Sequence, residues 1–67
     1  MIDANLLTQR EKAILKLVCL GYSNEEIGKK LFISSHTVKF YVVSILRKFN
    51  LKNRVVAAYF AGRDNLF

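Results

Sequence analysis

Between positions 34 and 48 hydrogen-bonding side chains cluster densely: Ser34, Ser35, His36, Thr37, Lys39, Ser44, Arg47 and Lys48. Lysine, arginine and threonine donate to phosphate oxygens, and lysine also donates to guanine. Two apolar residues, Phe40 and Val43, interrupt the run, and apolar side chains contact thymine methyls. The same run offers little to catalysis. Ser34 and Ser35 have no base paired with them by any visible pattern, so they read as helix caps and not as nucleophiles. No carboxylate pair, His/Cys cluster or phosphate loop occurs elsewhere in the chain, which argues against an enzyme, a metal or a cofactor. His36, the only histidine, is either a contact to an anion or a solvated side chain.

The composition points the same way. Eleven Lys and Arg oppose five Asp and Glu in 67 residues, a net charge of +6. Nucleic acid is the first candidate partner of such a field, and an anionic membrane surface the second. A length of 67 residues allows one small domain, near the lower limit for a fold without staples. The 52% apolar content can supply a core and argues against disorder. The one cysteine cannot form an internal disulfide, and Cys19, among Leu17, Val18 and Leu20, reads as a small buried residue. No apolar run is long enough to span a bilayer, and MIDANLLTQREK lacks the pattern of an export signal. A cytoplasmic location is the expectation.

Cap residues divide the chain into four helices, at about 8–20, 24–32, 35–49 and 54–61. Thr8-Gln9-Arg10-Glu11 and Ser23-Asn24-Glu25-Glu26 are both capping boxes. Gly21 and Asn50 are natural stops, because both tolerate the left-handed conformation. Glu25 and Glu26 stand four residues before Lys29 and Lys30, the favourable order for helical ion pairs on a solvated face. Gly28, in the middle of the second helix, implies close approach by another helix. The stretch SSHTVKFYVVSILRKF has the β-branched content of a strand. It is too long for one, and Val38, Val42, Ile45 and Phe49 recur at helical spacing.

The fourth helix, capped by Asn53, is apolar on two sides. Val55, Ala58 and Tyr59 form one face; Val56, Ala57 and Phe60 form the other. One side packs on its own domain, and the second asks for a partner surface; Val56, Ala57 and Phe60 are assigned to the partner. The tail, ending Leu66-Phe67, either folds back on the first helix or frays.

The second and third helices are separated only by Phe32-Ile33-Ser34, which forces a steep crossing of the helix-turn-helix kind. With its apolar stripe buried, the third helix presents His36, Phe40, Val43 and Arg47 along its bare face, flanked by Lys39, Thr37 and Ser44. Such a helix fits the major groove. Thr37, with Ser35 beside it at the helix start, is placed for phosphate; Arg47 and Lys48 are placed for backbone contacts further along.

With these elements in order, the chain resembles the LuxR-type (GerE-like) helix-turn-helix domain of bacterial transcription regulators. The resemblance covers roughly residues 6–62. It rests on LTQRE, GYSNEEIGKKLFIS, TVKFYVVSILRKF and LKNRVVAA. It implies an all-α, four-helix domain whose third helix enters the major groove, with base and phosphate contacts from Thr37, Lys39, Phe40 and Val43. It also implies dimerisation through the fourth helix, as a homodimer or with a related regulator. RNA polymerase is a further implied partner, and the nucleoid is the implied location when bound. The chain departs from the family pattern at Tyr41, commonly His; at Val43, often polar or basic; and at Asn50, commonly Gly. Val43 removes a possible donor from the readout. Two readings follow: a sequence-specific DNA-binding regulator, or a co-regulator that pairs with another regulator and binds DNA weakly by itself. Membrane-surface binding ranks third, because the basic residues are spread over several short helices. The chain is either a complete small regulator or one domain of a larger protein.

Overall fold

The structure is a computed structural model that describes residues 2–67. A short 3-10 turn, Ala4–Leu6, precedes four helices: α1 (Gln9–Cys19), α2 (Asn24–Leu31), α3 (Ser35–Lys48) and α4 (Arg54–Arg63). The fold is all-α, as the cap pattern predicts. Each helix is entered through a side-chain cap, namely Thr8, Ser23, Ser34 and Asn53. The first two close full capping boxes, with Glu11 and Glu26 accepting from the backbone N–H groups of Thr8 and Ser23. α4 runs to Arg63, two residues past the expected end.

Three of the turns use left-handed residues: Gly21 (φ 89°), Asn50 (φ 54°) and Phe32 (φ 59°). The first two follow from their residue types. Phe32 does not, because a bulky side chain disfavours this region. Its backbone N–H donates to the Gly28 carbonyl and closes α2, while its ring lies almost wholly in solvent at 94% exposure.

The core is formed by the inner faces of the helices: Ile14, Leu15 and Val18 from α1, Ile27 from α2, Val38, Val42 and Ile45 from α3, and Ala57 and Ala61 from α4. Ile2, Leu7 and Leu51 close its edges. Val38, Val42 and Ile45 are the helical stripe read from the sequence. α2 packs on α3, α1 packs on both α3 and α4, and α4 makes a smaller contact with α3, while Lys39, Phe40 and Arg47 of α3 stay exposed. The closeness at Gly28 comes from the turn and from the first residue of α3, Ser35, whose backbone N would lie 3.3 Å from a Cβ there. A Cβ built there would lie 2.5 Å from the Ile33 carbonyl oxygen. The Gly28 carbonyl in turn accepts from Ile33 N–H at 3.0 Å. This glycine therefore sets how tightly α2 folds back into α3.

Arg54 joins α4 to α2, donating to Asn24 Oδ1 and to the Tyr22 carbonyl. The expected pairs Glu25–Lys29 and Glu26–Lys30 do not close to ion-pair distance among the described residues. Glu26 is occupied with its cap, and Lys30 Nζ lies 4.7 Å from the centre of the Tyr22 ring. The tail folds back: Leu66 packs against the core, and its N–H donates to the Ala61 carbonyl.

Candidate nucleic-acid interface

The exposed side of α3 carries Ser35, His36, Lys39, Phe40 and Arg47 on the surface and Val43 half-buried among them. No acidic residue occurs in this helix. His36, Lys39, Phe40, Val43 and Arg47 line one shallow depression of about 200 Å³. The structure thus brings together the residues that the helical projection grouped. Phe40 remains 65% exposed, and the His36 ring meets it edge-on with centroids 4.9 Å apart. This geometry is a favoured aromatic arrangement.

At the start of α3, Ser34 Oγ accepts from Thr37 N–H at 3.0 Å and donates to Thr37 Oγ1 at 2.9 Å. The Thr37 hydroxyl is used there as an acceptor, so its own O–H can point outward as a donor. Thr37 is half-buried and lines a groove of about 400 Å³ with Thr8, Glu11, Phe40, Tyr41 and Ser44. The positive end of the helix dipole lies at the same end.

Two residues are placed differently from their expected roles. Lys48 points back into the fold: its Nζ donates to Glu11 Oε1 at 2.7 Å and to the Leu6 carbonyl at 2.8 Å. Its charge is paired with the Glu11 carboxylate in this structure. Ser44 likewise donates to Glu11 Oε2 at 3.3 Å. Glu11 is the buried charged residue of the core. Burial pushes its carboxyl up, but hydrogen bonds from Lys48, from the Thr8 backbone and from Ser44, with the Lys48 charge, outweigh this and hold it below the ordinary range. Among the described residues no buried side-chain polar atom lacks a partner.

On α4, Ala57 is not available to a partner. It is 2% exposed and packs in the domain's own core with Ala61. Val56 and Phe60 are half-buried against the same core. The outward side chains of this helix are Val55 and Tyr59, 74% and 62% exposed. The sequence projection divided α4 into the correct two stripes and turned the wrong one outward. The buried pair of alanines one turn apart was the usable signal, since small residues let two helix backbones approach closely.

Among the described residues no group of His, Cys, Asp or Glu is arranged to hold a metal ion, and no helix is long and apolar enough to cross a membrane. Residues 5–61 match the family described as bacterial regulatory proteins, luxR family. The nitrate/nitrite response regulator protein NarL of Escherichia coli (strain K12) is 43% identical over 97% of this chain, which covers 30% of that protein. The transcriptional regulatory protein LiaR of Bacillus subtilis (strain 168) is 45% identical over 90% of the chain, covering 28% of its length. The chain belongs to the LuxR family of bacterial regulatory proteins, a family of regulators and not of enzymes. It spans less than a third of the length of these relatives.

Proposed function

We propose that this chain is the DNA-binding domain of a bacterial transcription regulator. α3 lies in the major groove, with Lys39 and Arg47 on phosphates or guanine, Ser35 and Thr37 on phosphate near the helix start, and Phe40 and Val43 against base edges. His36 takes part through Phe40. The observation that carries this reading is the exposed side of α3: acid-free, cationic at its edges and apolar at its centre, on a chain of net charge +6. α4 pairs two copies, or one copy with a related regulator, through Val55 and Tyr59. Phe60, which meets Tyr59 edge-on at 5.2 Å, and Val56 support that surface from beneath. The site of action is the bacterial cytoplasm, on the nucleoid.

A selection from random duplex DNA, followed by titration of the enriched sequences at two salt concentrations, tests the proposal. A short enriched sequence with affinity falling steeply as salt rises supports it, and paired half-sites report the dimer. The alternative is a co-regulator that binds DNA weakly without a partner. Val43 favours that reading, because it leaves the centre of α3 without a donor. Weak, motif-free binding would decide for the co-regulator.

A further inference from the structure

The centre of the α3 surface narrows which base edges it can read, on the footing that α3 reads DNA at all. Phe40 and Val43 neither donate nor accept hydrogen bonds. In the major groove the natural bases offer one apolar group, the C5-methyl of thymine. Phe40 and Val43 stand three residues apart, about 4.5 Å along the helix axis. Successive base pairs are about 3.4 Å apart. Side chains so spaced can reach neighbouring base pairs along the groove. His36 meets Phe40 edge-on at 4.9 Å, a contact that favours this placement of the ring before any ligand arrives. Lys39 and Arg47 line the same depression and can reach acceptors on either side of it.

We infer that the depression between Phe40 and Val43 takes the 5-methyl groups of pyrimidines at two successive base pairs. The group recognised is the methyl and not the rest of thymine. A cytosine at either position is therefore a poor ligand, and its C5-methylated form a good one. Binding by this domain is then sensitive to cytosine methylation wherever a C·G pair replaces T·A at those two steps.

The test uses the intact chain and the duplex obtained by selection. Each thymine is replaced in turn by deoxyuridine, which removes only the methyl. Each T·A pair is also replaced by C·G with and without 5-methylcytosine. The expected result is a loss of about three- to fivefold in affinity per methyl at two adjacent positions. A gain of similar size on methylating cytosine is expected at those positions. At one of the two positions both effects fall below about twofold in Phe40→Ala, a change at a solvent-exposed site. Equal binding of uracil and thymine duplexes at every position overturns the inference while leaving DNA binding in place. Methyl effects undiminished at both positions in Phe40→Ala also overturn it, because the Phe40 ring then reads neither methyl. Failure to bind any duplex removes the DNA reading itself, and the inference with it.

Discussion

Lys48 Nζ stands 2.7 Å from Glu11 Oε1, joining the last turn of α3 to the first turn of α1 across 37 positions of sequence. The lysine is moderately exposed and the carboxylate nearly buried, at 31% and 6% of their side-chain surfaces. Glu11 also completes the Thr8 cap and accepts from Ser44. One carboxylate thus sets both the start of α1 and the lie of the helix assigned to the groove.

Two lysines of α3 are expected to separate in a titration. Lys39→Ala weakens DNA binding and, if its contact is to phosphate, lowers the salt slope by about one. Lys48→Ala leaves the slope nearly unchanged and lowers thermal stability instead. Equal loss of slope in both variants would return Lys48 to the DNA-contacting set.

Acid should weaken the fold through Glu11. Its folded-state pKa lies below the ordinary 4.5, so its contribution is complete above that value and is lost as pH falls through the depressed one. Glu11→Gln can keep the capping hydrogen bond but loses the charge. It should cost about 1.5 kcal/mol near neutral pH, a typical value for a charge-assisted hydrogen bond. The acid limb of urea stability should flatten; Glu26, also depressed by its Ser23 cap, keeps part of it. An acid limb identical to that of the parent would remove Glu11 as its source.

Gly28→Ala sets two effects against each other. Helix propensity favours Ala by about 1 kcal/mol. The new Cβ, however, would meet the Ile33 carbonyl oxygen at 2.5 Å, against backbone that cannot swing aside. The clash should win, with a net loss of about 2 kcal/mol in denaturant unfolding. A stabilised variant would show that the turn opens freely.

Phe32→Asn should raise stability by about 0.5–1 kcal/mol, since Asn adopts positive φ more readily and the ring makes few contacts to lose. A calorimetric melt compares the two. A lower melting temperature would mean that the exposed ring contributes to the fold despite its solvation.

On α4, Tyr59→Glu should weaken self-association in sedimentation runs and leave the monomer's melt within about 0.5 kcal/mol. Phe60→Glu should instead lower stability, because its ring packs on the core. A Tyr59→Glu chain that associates as strongly as the parent would move the pairing surface elsewhere.

Local rules recovered much of this fold. The Thr8 and Ser23 boxes sit within four residues, and the Val38–Val42–Ile45 stripe obeys one period, so both are written in short stretches of sequence. The assignment of His36, Lys39, Phe40, Val43 and Arg47 to one side of α3 follows from that stripe. The pairing of Lys48 with Glu11 is not local: nothing near position 48 says which carboxylate it meets. α4 was ambiguous for another reason. Its apolar residues surround the axis, so projection cannot choose a face, and the choice comes from α1, which needs the small side chains of Ala57 and Ala61. Phe32 was hidden because its conformation is imposed by the tight α2–α3 link and opposes its own preference.

The backbone N–H of Ile2 donates to Asp64 Oδ2 at 2.9 Å, across 62 positions. The described chain is therefore nearly a closed ring. A short polar bridge between its ends, with new ends opened at the exposed Gly21, should give a circular permutant with the same four helices. In that molecule α2 and α3 would come first in the chain and α1 last. The order in which helices leave a ribosome would change, while the surface offered to a duplex would not.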